Sequence, residues 1–251
     1  MKVIIIMGPP GSGKGTQAKL LADRLGMIHF DTGKYIEQVV YDKAKRNNKI
    51  IQEQRELFES GKLCSPSWVL KITQERASQL AKVGLSIIFS GSPRTFYETF
   101  GKEPETDRKI IKNIKLTRKV KRQKGLMDVL EKYYGKKNIF IFNIKISEKE
   151  SIKRNSHRLL CSVCGTQILD FKKLKILKPQ KAEILRCPFC AGKFYRRVLD
   201  NPETIKTRLK EYQERTRPLF SELKRRQYKI ISINGKPLPE KIIKSILRWL
   251  I

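Results

Sequence analysis

Acidic residues and histidines are scarce in this chain of 251 residues, where 24 Asp and Glu and two His stand against 55 Lys and Arg. Long apolar runs are missing too. No stretch approaches the roughly 20 apolar residues that a membrane span requires. The N-terminus enters a strand-like run at once, without the apolar region and cleavage site of a secretory signal. The expectation is a cytoplasmic protein with no membrane partner. His29 and His157 lie in no pattern that suits a catalytic base or a metal ligand, so His29 is assigned to packing and His157 to a hinge. Repeats and low-complexity tracts are not evident. The five cysteines form two close pairs plus a lone Cys64, and in a reducing compartment such pairs favour metal ligation over disulfides.

The surplus of basic residues leaves a formal net charge of +31, which attracts any polyanion, whether nucleotides, RNA or ribosomal surfaces. Charge alone does not distinguish these, and a solvated basic face accounts for it without any partner. The length allows one sizeable core with one or two small inserted lobes, so a monomeric single-core enzyme is the default expectation.

Residues 8 to 16 read GPPGSGKGT, between the branched run Val3-Ile4-Ile5-Ile6 and a segment in which Ala18, Leu21, Ala22 and Leu25 recur at helical spacing before Gly26. A glycine-rich turn between a buried strand and a helix aims several backbone N–H groups, and the positive end of the helix, at one spot. Anions bind there. The spacing fits the phosphate-loop pattern with Gly8 first, Gly13 second and Lys14 as its lysine, although Gly15 stands where Ser or Thr is usual and Thr16 follows one place later.

Further strand patterns fall at 27–30, 85–89, 139–146 and 229–233, separated by helical stretches long enough for crossovers. That alternation implies an α/β fold with a parallel sheet flanked by helices. From Pro239 onward, Ile242, Ile243, Ile246 and Leu250 share one side of an expected C-terminal helix. Three stretches interrupt the alternation: 32–80, with helical but no strand pattern; 101–124, with ten Lys and Arg against three Asp and Glu; and 158–198, which carries the paired cysteines.

Cys161-x-x-Cys164 and Cys187-x-x-Cys190, 22 residues apart, can offer four thiolates to one tetrahedral zinc. With no histidine and no open position nearby, the expected role is structural. A lobe of about forty residues cannot bury enough apolar surface to hold its own shape, and a metal replaces the missing core. The Lys-rich run between the pairs also fits a small ribbon facing phosphates or RNA.

In order and approximate spacing, GPPGSGKGTQAKLLADRLG, DTGKY, GKL, SGSPRT, RNSHR and NPETIKTRLKEYQERTRPL resemble the adenylate kinases over nearly the whole chain, and most closely those with a four-cysteine zinc lid. The resemblance implies a P-loop kinase core with a five-stranded parallel sheet (1–31, 81–157 and 198–251), an inserted helical lobe binding the nucleoside monophosphate (32–80) and a zinc-ribbon lid (158–197). The basic stretch 101–124 is then an insertion within the core. ATP with Mg²⁺ would lie on Gly11, Ser12, Gly13, Lys14, Gly15 and Thr16, with Arg154 and Arg158, expected on one helical face, and Lys236 beside it. AMP would meet Thr32, Lys62, Leu63 and Cys64 in the helical lobe and Gly91, Ser92, Pro93, Arg94 and Glu98 after the third strand, with Arg197 and Arg208 between both nucleotides. Lys14, Arg94, Arg158, Arg197 and Arg208 are the implied catalytic set, and Cys161, Cys164, Cys187 and Cys190 the zinc ligands. The products would be two ADP.

Several residues depart from that pattern. Glu37 stands where the family has an arginine, and is expected either to repel an acceptor phosphate or to pair with a lysine such as Lys34. Ser90 replaces an aspartate that helps hold the magnesium-water shell. Glu98 replaces a glutamine that reads adenine and could accept from the exocyclic amino group of adenine, cytosine or guanine. Leu199 replaces the first of two aspartates at the lid exit. The acceptor could therefore be CMP, UMP or GMP in place of AMP. A nucleic-acid-associated P-loop protein with weak kinase activity is the rival from another class.

Overall fold

The computed structural model describes residues 1–102, 123–169 and 186–250. Most of the basic stretch 101–124, and residues 170–185 of the run between the cysteine pairs, lie outside the described residues.

The branched run forms β1 (Val3–Met7), and every one of its residues is buried. It is the central strand of a parallel five-stranded sheet, flanked by β2 (Ile28–Asp31) beyond β3 (Ile87–Ser90) on one side. On the other lie β4 (Ile139–Lys145) and, at the edge, the strand Ile230–Asn234. Side chains alternate across a strand. Accordingly Val3, Ile5 and Met7 enter one apolar cluster, with Phe89, Ile141, Leu126 and Leu130, while Ile4 and Ile6 enter the cluster on the opposite face, with Leu21, Phe142 and Ile246. Burial on both faces accounts for the unbroken apolar strands.

The second face is covered by α1 (Lys14–Leu25), which ends at Gly26 in the left-handed conformation, and by the C-terminal helix Pro239–Leu247, which starts with proline in its first turn. Between β2 and β3 run α2 (Thr32–Val40), α3 (Lys49–Glu59) and α4 (Pro66–Lys82). Ile36, Val40, Phe58, Cys64 and Val69 give this segment a core of its own. The rest of α4 turns back to the sheet through Leu70, Ala77 and Ala81. After the helix Glu148–Ser156 comes a small antiparallel sheet, in which Arg158–Cys161 is flanked by Gln167–Leu169 and Phe194–Tyr195. Among the described residues no helix is long and apolar enough to cross a membrane.

The sheet order brings the C-terminal ends of β1, β2 and β3 side by side, the edge where open parallel sheets present their ligands. Gly8 fixes the exit from β1. Its φ is +145°, and a Cβ there would collide with the Ile144 carbonyl oxygen and lie 2.8 Å from the Ser12 hydroxyl. Gly8→Ala is expected to lower stability by about 2 kcal/mol or more, since it combines backbone strain with a backbone clash. A denaturant midpoint equal to that of the wild type would refute this account of the turn.

Candidate active site

The phosphate loop is held from below by a helix distant in sequence. The Ser151 hydroxyl donates to the Pro10 carbonyl at 2.6 Å, and the Asn155 amide packs against Gly11, whose φ is +72°. Gly13, at φ +92°, starts α1, so the free N–H groups of its first turn open onto a cleft of about 360 Å³. Lys14 folds back over its own loop, donating to the carbonyls of Gly8 (2.8 Å) and Pro9 (2.7 Å). Burial, and after it the charges of Arg94, Arg208 and Arg158, hold its ammonium well below the usual lysine range.

The arginines reach this cleft from separate elements. Arg94 follows β3, and its carbonyl accepts from the Thr216 hydroxyl at 3.0 Å. Arg158 opens the first strand of the small sheet, and its guanidinium is bound to both oxygens of buried Asp200. Arg208 lies on the helix Pro202–Glu211, 3.5 Å from Asp200, and donates to the Leu199 carbonyl at 3.2 Å. Burial, then Arg158, Arg197 and Arg94, lower its pKa to about 9. A buried and a half-buried cation thus lean on one buried carboxylate, and the remaining positive charge faces the cleft. Phosphate groups are what such a site can neutralise.

Of the residues named from sequence, Gly11 to Thr16, Lys62, Leu63, Gly91 to Arg94, Arg154, Arg158, Arg197, Arg208 and Lys236 all line this cleft. Lys62 and Leu63 are placed there by Gly61, whose φ is +77° and whose missing Cβ lets Thr204 approach. Five expectations are corrected by the structure. Arg154 and Arg158 do not share a helical face, because the helix ends at Ser156 and Arg158 begins a strand; Arg154 is held by Glu150 and by the carbonyls of Gly235 and Lys236. The Cys64 thiol points into the core of the helical segment, donating to the Gln54 carbonyl at 3.6 Å, and burial pushes its pKa up to about 11. Thr32 is buried beside the cleft without lining it.

Glu98 is the clearest difference. Its carboxylate turns inward and accepts from the Arg94 N–H and from the hydroxyls of Thr95 and Ser92, which ties the Arg94 turn to its helix and leaves none of it facing the cleft. Desolvation raises its pKa. Glu37 does not pair with Lys34. It takes the Arg197 guanidinium at 2.6 and 3.4 Å.

A family model described as adenylate kinase matches residues 6–228. The chain belongs to the adenylate kinase family. It is 30% identical over 218 residues to an adenylate kinase of Paramagnetospirillum magneticum, covering 86% of this chain and 84% of the relative. It is 28% identical over 245 residues to one from Thermosipho africanus, covering 97% of each, and 31% identical over 218 residues to one from Zymomonas mobilis, covering 86% and 82%.

Sequence reasoning missed Asp31 and the turn Tyr212–Thr216, both of which reach the cleft. The turn is a short π-helix, a local widening that recurs at functional sites and that no apolar periodicity announces. In the small sheet, the sulfurs of Cys161, Cys164, Cys187 and Cys190 lie within 4.8 Å of one another, with Cys161 to Cys190 at 3.4 Å and Cys164 to Cys187 at 3.5 Å. Thiolates on a tetrahedral zinc stand about 3.8 Å apart, so this donor set fits the ion. We expect about one zinc per chain by metal analysis, and loss of both the metal and the lid's protection from proteolysis on Cys161→Ser or Cys187→Ser. Cys64→Ser should leave the metal in place, and loss of zinc there would contradict the assignment.

Proposed function

We propose that the protein transfers the terminal phosphoryl group of ATP to AMP, giving two ADP. Residues 32–80 form the acceptor lobe, 158–197 the lid and the remainder the core. What carries this reading is the convergence of the phosphate loop, Arg94, Arg158 and Arg208 on one cleft, in a chain of this family. Phosphoryl transfer asks little covalent chemistry of a protein; it needs in-line oxygens held still, their charge neutralised and water kept out.

Each element then has a task. The loop N–H groups and Lys14 hold the donor phosphates. Leaving the carbonyls of Gly8 and Pro9, the lysine ammonium can follow the transferred group as charge develops on it. Arg94 holds the acceptor phosphate from the end of β3. Arg158 and Arg208, fixed by Asp200, flank the transferred group. Magnesium carried with ATP would supply further charge neutralisation, and Cys161, Cys164, Cys187 and Cys190 would hold zinc as a structural ion. Adenine is not read by Glu98, whose carboxylate is occupied elsewhere, so base preference rests on other walls of the cleft.

Turnover measured with ATP and each of AMP, CMP, UMP and GMP tests the reaction, and AMP is the expected acceptor. Lys14→Ala and Arg94→Ala should each reduce kcat/KM on the order of 10²-fold or more, since each removes a charge that meets the transition state. Wild-type turnover in both variants would exclude these roles.

Glu37 competes for Arg197 with any acceptor phosphate. Glu37→Gln removes the competing charge, and AMP binding should tighten about tenfold with ATP binding nearly unchanged. Weaker AMP binding in this variant would show instead that the ion pair aligns Arg197 for the acceptor.

A further inference from the structure

The aspartate that this family uses near the magnesium waters is Ser90 here, and the structure offers no charge at that position. Ser90 is buried and its hydroxyl sits 2.7 Å from His29 Nε2. In the parallel pairing of β2 with β3, however, Asp31 stands directly opposite Ser90. Neighbouring strands are about 5 Å apart, and residues in register point to the same side of the sheet. His29, two residues before Asp31 on the same strand and therefore on the same face, touches the Ser90 hydroxyl, which confirms that facing.

The Asp31 carboxylate is also aimed correctly. Oδ1 accepts from the Lys34 N–H at 3.2 Å, capping α2. Oδ2 lies 3.5 Å from the point a Cβ on Gly15 would occupy, against the first turn of α1 and next to Thr16. Among the described residues only two carboxylates line the cleft, Asp31 and Glu211, and Glu211 lies 3.6 Å from Arg215 on its own helical turn. Asp31 is thus the carboxylate nearest the loop, and an oxygen donor suits a hard, water-carrying cation.

We propose that Asp31 has taken over the carboxylate function missing at Ser90, ordering the water shell of the magnesium carried by ATP from the neighbouring strand. The inference rests on the phosphoryl-transfer reading above. Asp31 acts through water and is a positioning residue.

A helix cap is the ordinary role of an aspartate here, and substitution can separate the two roles. Asparagine and serine cap as well as aspartate but carry no charge. The measurement is Mn²⁺ binding, followed by electron paramagnetic resonance, to the full-length protein saturated with a non-hydrolysable ATP analogue. Asp31→Asn and Asp31→Ser are expected to weaken Mn²⁺ binding about tenfold, with thermal midpoints and metal-free nucleotide affinity close to wild type. Restoring a carboxylate one strand over, in the double variant Asp31→Asn with Ser90→Asp, should recover most of the lost affinity. Unchanged Mn²⁺ affinity in both single variants would overturn the proposal, as would a loss accompanied by an equal loss of metal-free nucleotide binding. A wild-type protein that binds the analogue and Mn²⁺ but transfers no phosphate would defeat the functional reading and leave the metal result standing on its own. One that binds neither would defeat both.

Discussion

Mutual repulsion among cations crowded at one cleft is the constraint around which the rest of this molecule is arranged. Lys14 feels Arg94, Arg208 and Arg158, and Arg208 in turn feels Arg158, Arg197 and Arg94, all with little water to screen them. Asp200 offsets part of that repulsion by holding Arg158 and Arg208 together. The remainder is retained as positive potential over the cleft. A polyphosphate entering the cleft relieves it, so part of the driving force for binding is built in when the protein folds.

Keeping such charges together requires a rigid frame, and the sheet supplies it. The cations come from the loop after β1, the turn after β3, the first strand of the lid and the helix beyond the lid, segments far apart in the chain. Only the order of the strands brings them to one edge. Glu98 belongs to the same frame: by taking the Arg94 N–H and two hydroxyls it locks the backbone from which the Arg94 side chain projects. Ser151 and Asn155 do the equivalent for the phosphate loop.

Two departures from the family pattern turn out to act together at the lid exit. Leu199 packs into the apolar core of the helical segment between β2 and β3, and Glu37 of that segment binds Arg197 two residues earlier. One contact is apolar and the other ionic, and both fasten the lid exit to the helical segment. Lys34 of the same segment also lies against Gly165 in the lid. Lid and helical segment are therefore linked through this chain's own side chains.

What the sequence by itself determined is whatever depends on near neighbours along the chain. The phosphate loop is legible because a glycine turn, a buried strand and an amphipathic helix must follow one another directly. The parallel sheet is legible because doubly buried strands are apolar throughout, and the metal lobe because two close cysteine pairs have few other uses. Only the tertiary structure decided where the carboxylates point. Glu98 looks like a base reader in sequence but faces inward, because the turn beside it offers three donors. Glu37 finds a partner 160 residues away, and Asp31 gains its place opposite Ser90 from strand register. Charge–charge contacts and register are set by long-range packing, and no local periodicity encodes either.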